Sequence, residues 1–420
     1  MSTKISKKDV NQGQKQAKQH LHNEITSLRQ QIAEFPKNKS KVIKLNALRT
    51  SMGIFKHHGR NTYKIRFKSG GGVTSTQQLT IVAHTARQYG SGEIHLTPRQ
   101  EIEILNIPLE NTPGALENLQ KHGLDISRHD NNILNITTSE DAGTSYQEKF
   151  DTIPHVLTLN RILNNKSESS LSPIKLRIGF ASDYRDNSLA RYNDIGFIAT
   201  TREGKRGFRV FIGGVSGSSP AAGYLLSGFL EEKEILYVIE TVKRIIQDNN
   251  ELVPRNGTNL RSVIDALGRE KAFKLFASNY LKIRGEKNNR LNLKELNSSA
   301  TNSQKTSNIN YPLLSREWVY RYVRDQKQSG LFSVELPLNK GRISATNIEK
   351  LAGFLAPFGN DVIRLSIHQH LFLRNIPGVQ LLPLQNLLKE IRLQNNERNS
   401  DNPHNNGFNI PEPTRKTVNI

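Results

Sequence analysis

Two pairs of cations stand where strand periodicity would aim them together. Arg66 and Lys68 alternate with the apolar Ile65 and Phe67, so they share one face of a strand that breaks at Ser69-Gly70-Gly71-Gly72. Lys175 and Arg177 repeat the arrangement in a later strand. Guanidinium and ammonium groups grouped in this way bind carboxylates and small oxyanions, and a guanidinium fork matches a carboxylate bidentately. Glycines after such a strand permit close backbone approach to a ligand. The same pattern taken alone also describes a solvated strand face ending in a tight turn.

Other candidates are weaker. Gly213-Gly214 ends an apolar run and could cradle phosphate through backbone amides, or simply turn a hairpin; it fits neither the P-loop nor the GxGxxG pattern. His368 and His370 are spaced to share a strand face, but no third ligand stands near, and no metal site is expected. Glu101 and Glu103 are expected to be solvated strand carboxylates.

The elements that must hold these groups include a copied segment. Residues 90–108, GSGEIHLTPRQEIEILNIP, return at 359–377 as GNDVIRLSIHQHLFLRNIP with a constant offset of 269 and seven identical positions, Gln100/Gln369 among them. This spacing is too long for a solenoid and marks a duplicated, domain-sized unit. Arg99 faces His368 in the alignment. The segments Glu93–Ile104 and Asp361–Leu373 read as strands, with Arg99-Gln100 on the return strand. Ser75 with Gln78 forms a capping box before a helix, and Thr346 with Glu349 reads as its counterpart.

The implied division is a basic helical arm over 1–53, a first strand–helix–strand–helix unit over 54–125, and a different α/β unit over 126–285. A polar linker over 286–310, a second copy of the first unit over 311–395 and a polar tail over 396–420 complete it. The chain has 420 residues, a net charge of +21 and no cysteine. It therefore offers no disulfide, thiolate nucleophile or cysteine ligand for a metal or cluster. No apolar run suits a membrane span or a secretory signal, so a cytoplasmic protein without membrane association is expected. Residues 1–60 carry 13 Lys/Arg against Asp9, Glu24 and Glu34, which points to a polyanionic partner or a solvated arm.

Together these pieces resemble the siroheme-dependent sulfite and nitrite reductases. GIFKHHGRNTYKIRFKSGGGVTSTQQL and EIHLTPRQEIEILNI resemble that family's first ferredoxin-like half. SPIKLRIGF, NDIGFIA and GFRVFIGG resemble its first siroheme-binding half-domain, and VIRLSIHQHLFLRNIP its second ferredoxin-like half. The resemblance implies an α+β fold: two ferredoxin-like half domains related by a pseudo-twofold duplication, one siroheme-type α/β half-domain and the basic arm. It implies siroheme and a four-iron–four-sulfur cluster as cofactors, and sulfite or nitrite as substrate. Arg66, Lys68, Arg99, Gln100, Asn135, Gly213, Gly214 and Gln369 would lie at the cofactor, and Lys175, Arg177 and Arg66 would hold and protonate the oxyanion. Leu134 stands where the family has an arginine, and Arg177 replaces a lysine. The cluster cysteines are absent, so the resemblance implies the front portion or a subunit of such a reductase, its cluster-bearing half encoded separately, truncated or lost, with the electron donor unspecified. The alternatives are a non-catalytic tetrapyrrole-binding protein and a basic nucleic-acid-binding protein on the same scaffold.

Overall fold

The computed structural model describes residues 22–34, 39–57, 59–124, 132–165, 174–186, 188–217, 219–252, 259–286, 291 and 314–400. Helix α1 spans 22–33 and α2 spans Lys39–Ser51. The first unit follows as β1 (Ile54–Lys56), β2 (Tyr63–Lys68), β3 (Val73–Thr74), α3 (Thr76–Tyr89), β4 (Glu93–Leu96), β5 (Glu101–Ile107) and α4 (Thr112–Lys121). The middle unit holds β6 (Asn132–Thr138), α5 (Ile153–Asn165), β7 (Ile174–Ala181), β8 (Ile195–Arg202), β9 (Lys205–Ile212), β10 (Tyr224–Glu231), α6 (Ile235–Asp248), α7 (Leu260–Leu267) and α8 (Arg269–Glu286). The copy then runs α9 (Arg316–Tyr322), β11 (Val323–Asp325), β12 (Leu331–Leu336), β13 (Arg342–Ser344), α10 (Ala345–Leu355), β14 (Ile363–Leu365), β15 (Leu371–Pro377) and α11 (Leu381–Ser400).

The two copies exchange strands. The first sheet runs β1-β2-β5-β4-β13 and the second β11-β12-β15-β14-β3, so each closes on a strand from the other copy. Ile343 of β13 pairs with Ile94 of β4, and Thr74 of β3 pairs with Ile363 of β14. Adding the offset 269 to Thr74 and Ile94 gives 343 and 363, so the two pairings are one contact repeated by a pseudo-twofold. Helix α3 packs against α10, where Arg87 meets Glu349 at 2.9 Å. One continuous core results, with Ile65, Leu79, Val82, Ile94 and Ile104 of one copy packed among Val334, Ile348, Leu351, Ile363 and Leu373 of the other.

Three expectations change here. The repeated segment is a hairpin: β4 and β5 are separated by 97–100, and β14 and β15 by 366–370. No glycine marks either turn. Instead Gln100 and Gln369 take the left-handed φ values of 57° and 63° themselves. The cap of α10 is Ser344, whose hydroxyl accepts from the Asn347 amide at 3.2 Å; it is the twin of Ser75, which caps α3 in a full capping box with Gln78. The described helices at 22–33 and Lys39–Ser51 are not a solvated arm, because Ile25, Leu28 and Leu45, with Met52 just after them, are buried in the shared core. Val10, Ala17 and Leu21 of the expected first helix, the linker and most of the tail lie outside the described residues.

The middle unit is an α/β layer. Strands β6, β7 and β8 run parallel, and β9 and β10 return antiparallel. Phe180 and Phe197 stack at 4.9 Å with Phe208 edge-on to both, against Ile235, Val238 and Ile239 of α6. Among the described residues no helix is long and apolar enough to cross a membrane.

Candidate anion-binding site

Strand β2 places Ile65 and Phe67 in the core and turns Lys64, Arg66 and Lys68 to the opposite face. Strand β5 sets Glu103 opposite Arg66 and Glu101 opposite Lys68. These carboxylates are buried rather than solvated, Glu103 to 1% exposure. Buried charges require partners. Glu103 has four contacts: Arg66 Nε at 2.9 Å and Nη2 at 2.5 Å, Lys64 Nζ at 3.0 Å, and His95 Nδ1 at 2.9 Å. Burial pushes its carboxyl up, but His95, Arg66 and Lys64 outweigh that and hold it at about 2. Arg66 also lies over the Phe55 ring at 5.0 Å, so its guanidinium is largely engaged within the protein.

Glu101 behaves differently. Burial raises its carboxyl above the ordinary value, and Arg66, Lys68 and Arg99 each act to lower it. Arg66 Nε lies 3.7 Å from Glu101 Oε2, and Lys68 is the registered neighbour of Glu101. Arg99 stands exposed on the hairpin turn, and its carbonyl accepts from Asn135 Nδ2 at 3.1 Å. Asn135 on β6 is the registered neighbour of Arg177 on β7. The Arg177 guanidinium is held by Asp194 Oδ2 at 3.2 Å and Ser216 Oγ at 2.6 Å, one quarter exposed. The structure thus links the Arg99 turn of the first unit to Asn135 of the middle unit, whose strand neighbour is Arg177. Lys175 lies two residues before Arg177, opposite Ile133; its side chain is outside the described residues.

The remaining expected site residues have protein partners. Gln100 is fully buried, and its amide is used on main chain: Nε2 donates to Thr138 O and Leu365 O, both at 2.8 Å, and Oε1 accepts from Thr138 N at 2.9 Å. Gln369 Nε2 donates to Leu96 O and to His95 Nε2, each at 2.9 Å. Gly213 and Gly214 are needed by the fold itself. A Cβ on Gly214 would overlap the carbonyls of Arg191 and Asn193, and one on Gly213 would sit 2.8 Å from Ile264 Cδ1. The turn at Gly70–Gly72 is filled likewise: a Cβ on Gly71 would overlap Val156 Cγ1, and one on Gly70 would lie 2.8 Å from Asn160 Nδ2. His368 and His370 have ring centroids 6.4 Å apart, and His370 is bound to Glu335 at 2.6 Å. No group of three metal-ligating side chains occurs among the described residues.

His95 was not among the candidate residues, and Glu103, expected in solvent, is the buried partner of Arg66. Glu103 carried one signal, its place directly across from a cation-bearing strand.

The nitrite/sulfite reductase ferredoxin-like half domain matches twice, at residues 55–122 and 324–391, each bound again separated by 269. The nitrite and sulphite reductase 4Fe-4S domain matches residues 129–284 between them. The chain belongs to the nitrite and sulfite reductase family. It is 28% identical over 340 residues to a ferredoxin–nitrite reductase of Synechococcus elongatus, covering 77% of this chain and 60% of that one. It is 26% identical over 358 residues to the chloroplastic ferredoxin–nitrite reductase of Spinacia oleracea, covering 81% and 56%. The structure of the Mycobacterium tuberculosis NirA protein shares the fold, with a TM-score of 0.64 at 20% identity over 84% of this chain and 64% of that one. The chain thus spans about 60% of the length of the curated nitrite reductases it matches. As a member of this family it departs in having no cysteine.

Proposed function

We propose that the chain is the siroheme- and oxyanion-binding portion of a nitrite or sulfite reductase. The observation that carries this reading is the row of Lys64, Arg66 and Lys68 along the polar face of β2, with Arg66 held on Glu103 and 3.7 Å from Glu101, beside a hairpin turn at Arg99 that Asn135 of the middle unit bonds. In the reading, Arg99 and Lys68 contact carboxylates of the macrocycle, while Arg66 is fixed by Glu103 and Phe55 and orders the cationic face. Asn135 sets the position of the Arg99 backbone. Gln100, Gln369, Gly213 and Gly214 shape the cofactor's surroundings through the protein contacts they make.

Siroheme fits this donor set, because its eight carboxylates need cations; when bound it supplies the redox-active iron at which the oxyanion is reduced. Arg177, directed by Asp194 and Ser216, binds the anionic substrate and stays charged, so it orients rather than donates. Lys175, two residues earlier on the same strand, is the better proton donor because an ammonium can lose its proton. A four-iron–four-sulfur cluster does not fit this chain, since cysteine is absent, and no electron-transfer step is derived through it. Nitrite is favoured over sulfite by the names of the relatives alone.

The test is an equilibrium titration of the full chain with siroheme, comparing wild type with a Lys68→Ala/Arg99→Ala double variant. The reading expects binding at least ~10-fold weaker in the variant, about 1.4 kcal/mol or more. Equal affinity would remove its basis.

A further inference from the structure

Strands β2, β5 and β4 lay Arg66, Glu103 and His95 side by side in register. Glu103 in the middle is buried, while the side chains of Arg66, His95 and Lys64 are partly open to solvent. A buried carboxylate is oriented by the donors that reach it. Arg66 and Lys64 reach Glu103 from β2, and His95 reaches it from β4 through Nδ1 at 2.9 Å.

Whether Nδ1 donates depends on which ring nitrogen carries the hydrogen. The second copy decides this. Gln369 Nε2 lies 2.9 Å from Leu96 O and 2.9 Å from His95 Nε2. A carbonyl only accepts, so the atom facing Leu96 O is the amide nitrogen; with the amide turned over, oxygen would meet oxygen. The second amide hydrogen then points at His95 Nε2, which accepts it. The ring hydrogen is left on Nδ1 and is donated to Glu103 Oε2. One chain of bonds therefore runs from Gln369 through His95 to Glu103, and from Glu103 to Lys64 and Arg66.

The duplicated scaffold does not demand this chain. Gln100 makes the matching bond to Leu365 O, but spends its second hydrogen on Thr138 O of the middle unit. Adding 269 to 64, 66, 95 and 103 gives Ser333, Glu335, Arg364 and Phe372. Arg364 turns instead to Ile363 O at 3.0 Å and to Asp361, and Phe372 offers no polar group. The fastening of the hairpin turns is common to both copies. The link to an imidazole and a buried carboxylate occurs on the copy whose strand bears the cations.

We propose that His95 is a positioning residue for the cationic face of β2: as the Nδ1–H tautomer, with Nε2 engaged by Gln369, it fixes the Glu103 carboxylate, which holds Lys64 and Arg66 in place for an anionic ligand. Gln369 acts through His95, so the second copy sets the geometry of a face carried by the first. That the ligand is siroheme rests on the proposed reductase function; the chain of bonds does not.

The test compares wild type, His95→Asn and His95→Gln in the full chain. Asparagine can present an N–H where Nδ1 stands, whereas glutamine presents its amide where Nε2 stands. Nitrogen-15 NMR, with His95 assigned by its loss in the variants, should show the Nδ1–H tautomer in wild type; an Nε2–H ring would overturn the proposal. Without ligand, His95→Gln should be less stable than His95→Asn at pH 7, and the gap should close as pH falls toward 2, where Glu103 takes up its proton. A gap constant with pH would mark mere packing and overturn the proposal. With siroheme at pH 7, His95→Asn should retain most of the wild-type affinity and His95→Gln should bind at least ~10-fold more weakly. Equal affinity in the two variants would also overturn it. If wild type binds no siroheme, the cofactor assignment alone fails, and the tautomer and the pH profile decide the positioning.

Discussion

The side-chain amide of Gln100 donates to the main-chain carbonyl of Leu365 at 2.8 Å, 265 residues away in sequence. Its twin Gln369 donates to Leu96 O, and 96 plus 269 is 365. Each copy therefore fastens the hairpin turn of the other with the same residue, and the left-handed backbone at both glutamines aims the amide across the twofold.

The two fastenings differ in what breaking them costs. Gln100→Ala leaves Thr138 N, Thr138 O and Leu365 O buried without partners, for a loss of roughly 3 kcal/mol. Gln369→Ala removes one main-chain bond and one bond to His95 at a half-buried site, for about 1 kcal/mol. Denaturant unfolding of the two variants checks the order; a Gln369 loss equal to that of Gln100 would contradict it.

Glycine is demanded at Gly71 and only permitted at Gly59. Both have left-handed φ, but Gly71 has Val156 pressed against it, while a methyl added at Gly59 would meet nothing within 4 Å. Gly59→Ala should cost about 1 kcal/mol from backbone conformation alone. Gly71→Ala should cost at least twice that, because α5 must move. Thermal unfolding distinguishes them.

Glu103 ties stability to acid. Its carboxyl, held at about 2, lies below its ordinary value, so the folded state gains stability that is complete above pH about 4.5 and is lost as pH falls toward 2. Glu103→Gln should destabilise by roughly 3 kcal/mol at pH 7, and the difference from wild type should shrink below pH 4. A gap that stays constant with pH would place the effect in packing rather than charge.

Glu140 has the opposite sign. Burial pushes its carboxyl up to about 8, with Asp141 and Glu335 adding to the rise and Arg185 opposing it. The folded state keeps a proton that the unfolded chain has already released, so stability falls as pH rises from about 4.5 to 8. Glu140→Gln should equal wild type at pH 4 and exceed it at pH 8, read by urea unfolding at both values.

The duplication was legible because identical residues at a fixed offset survive in the hairpins, and the alternation at Ile65-Arg66-Phe67-Lys68 marked which face is polar. Strand exchange was not legible: β3 and β13 are two and three residues long, too short for a periodic signal, and their pairing is set by the other copy. The turns at Gln100 and Gln369 were read as strand because the left-handed residue is a glutamine rather than glycine. Glu101 and Glu103 were expected in solvent because sequence does not reveal that Lys64, Arg66 and His95 close over them.

The central claim is that the cationic face spanning Arg66, Lys68, Arg99 and Arg177 holds siroheme. The most direct measurement is the visible absorption spectrum of the full chain purified from cells that make abundant siroheme. The account predicts a pigmented protein with close to one siroheme per chain; a colourless protein from the same cells would contradict it.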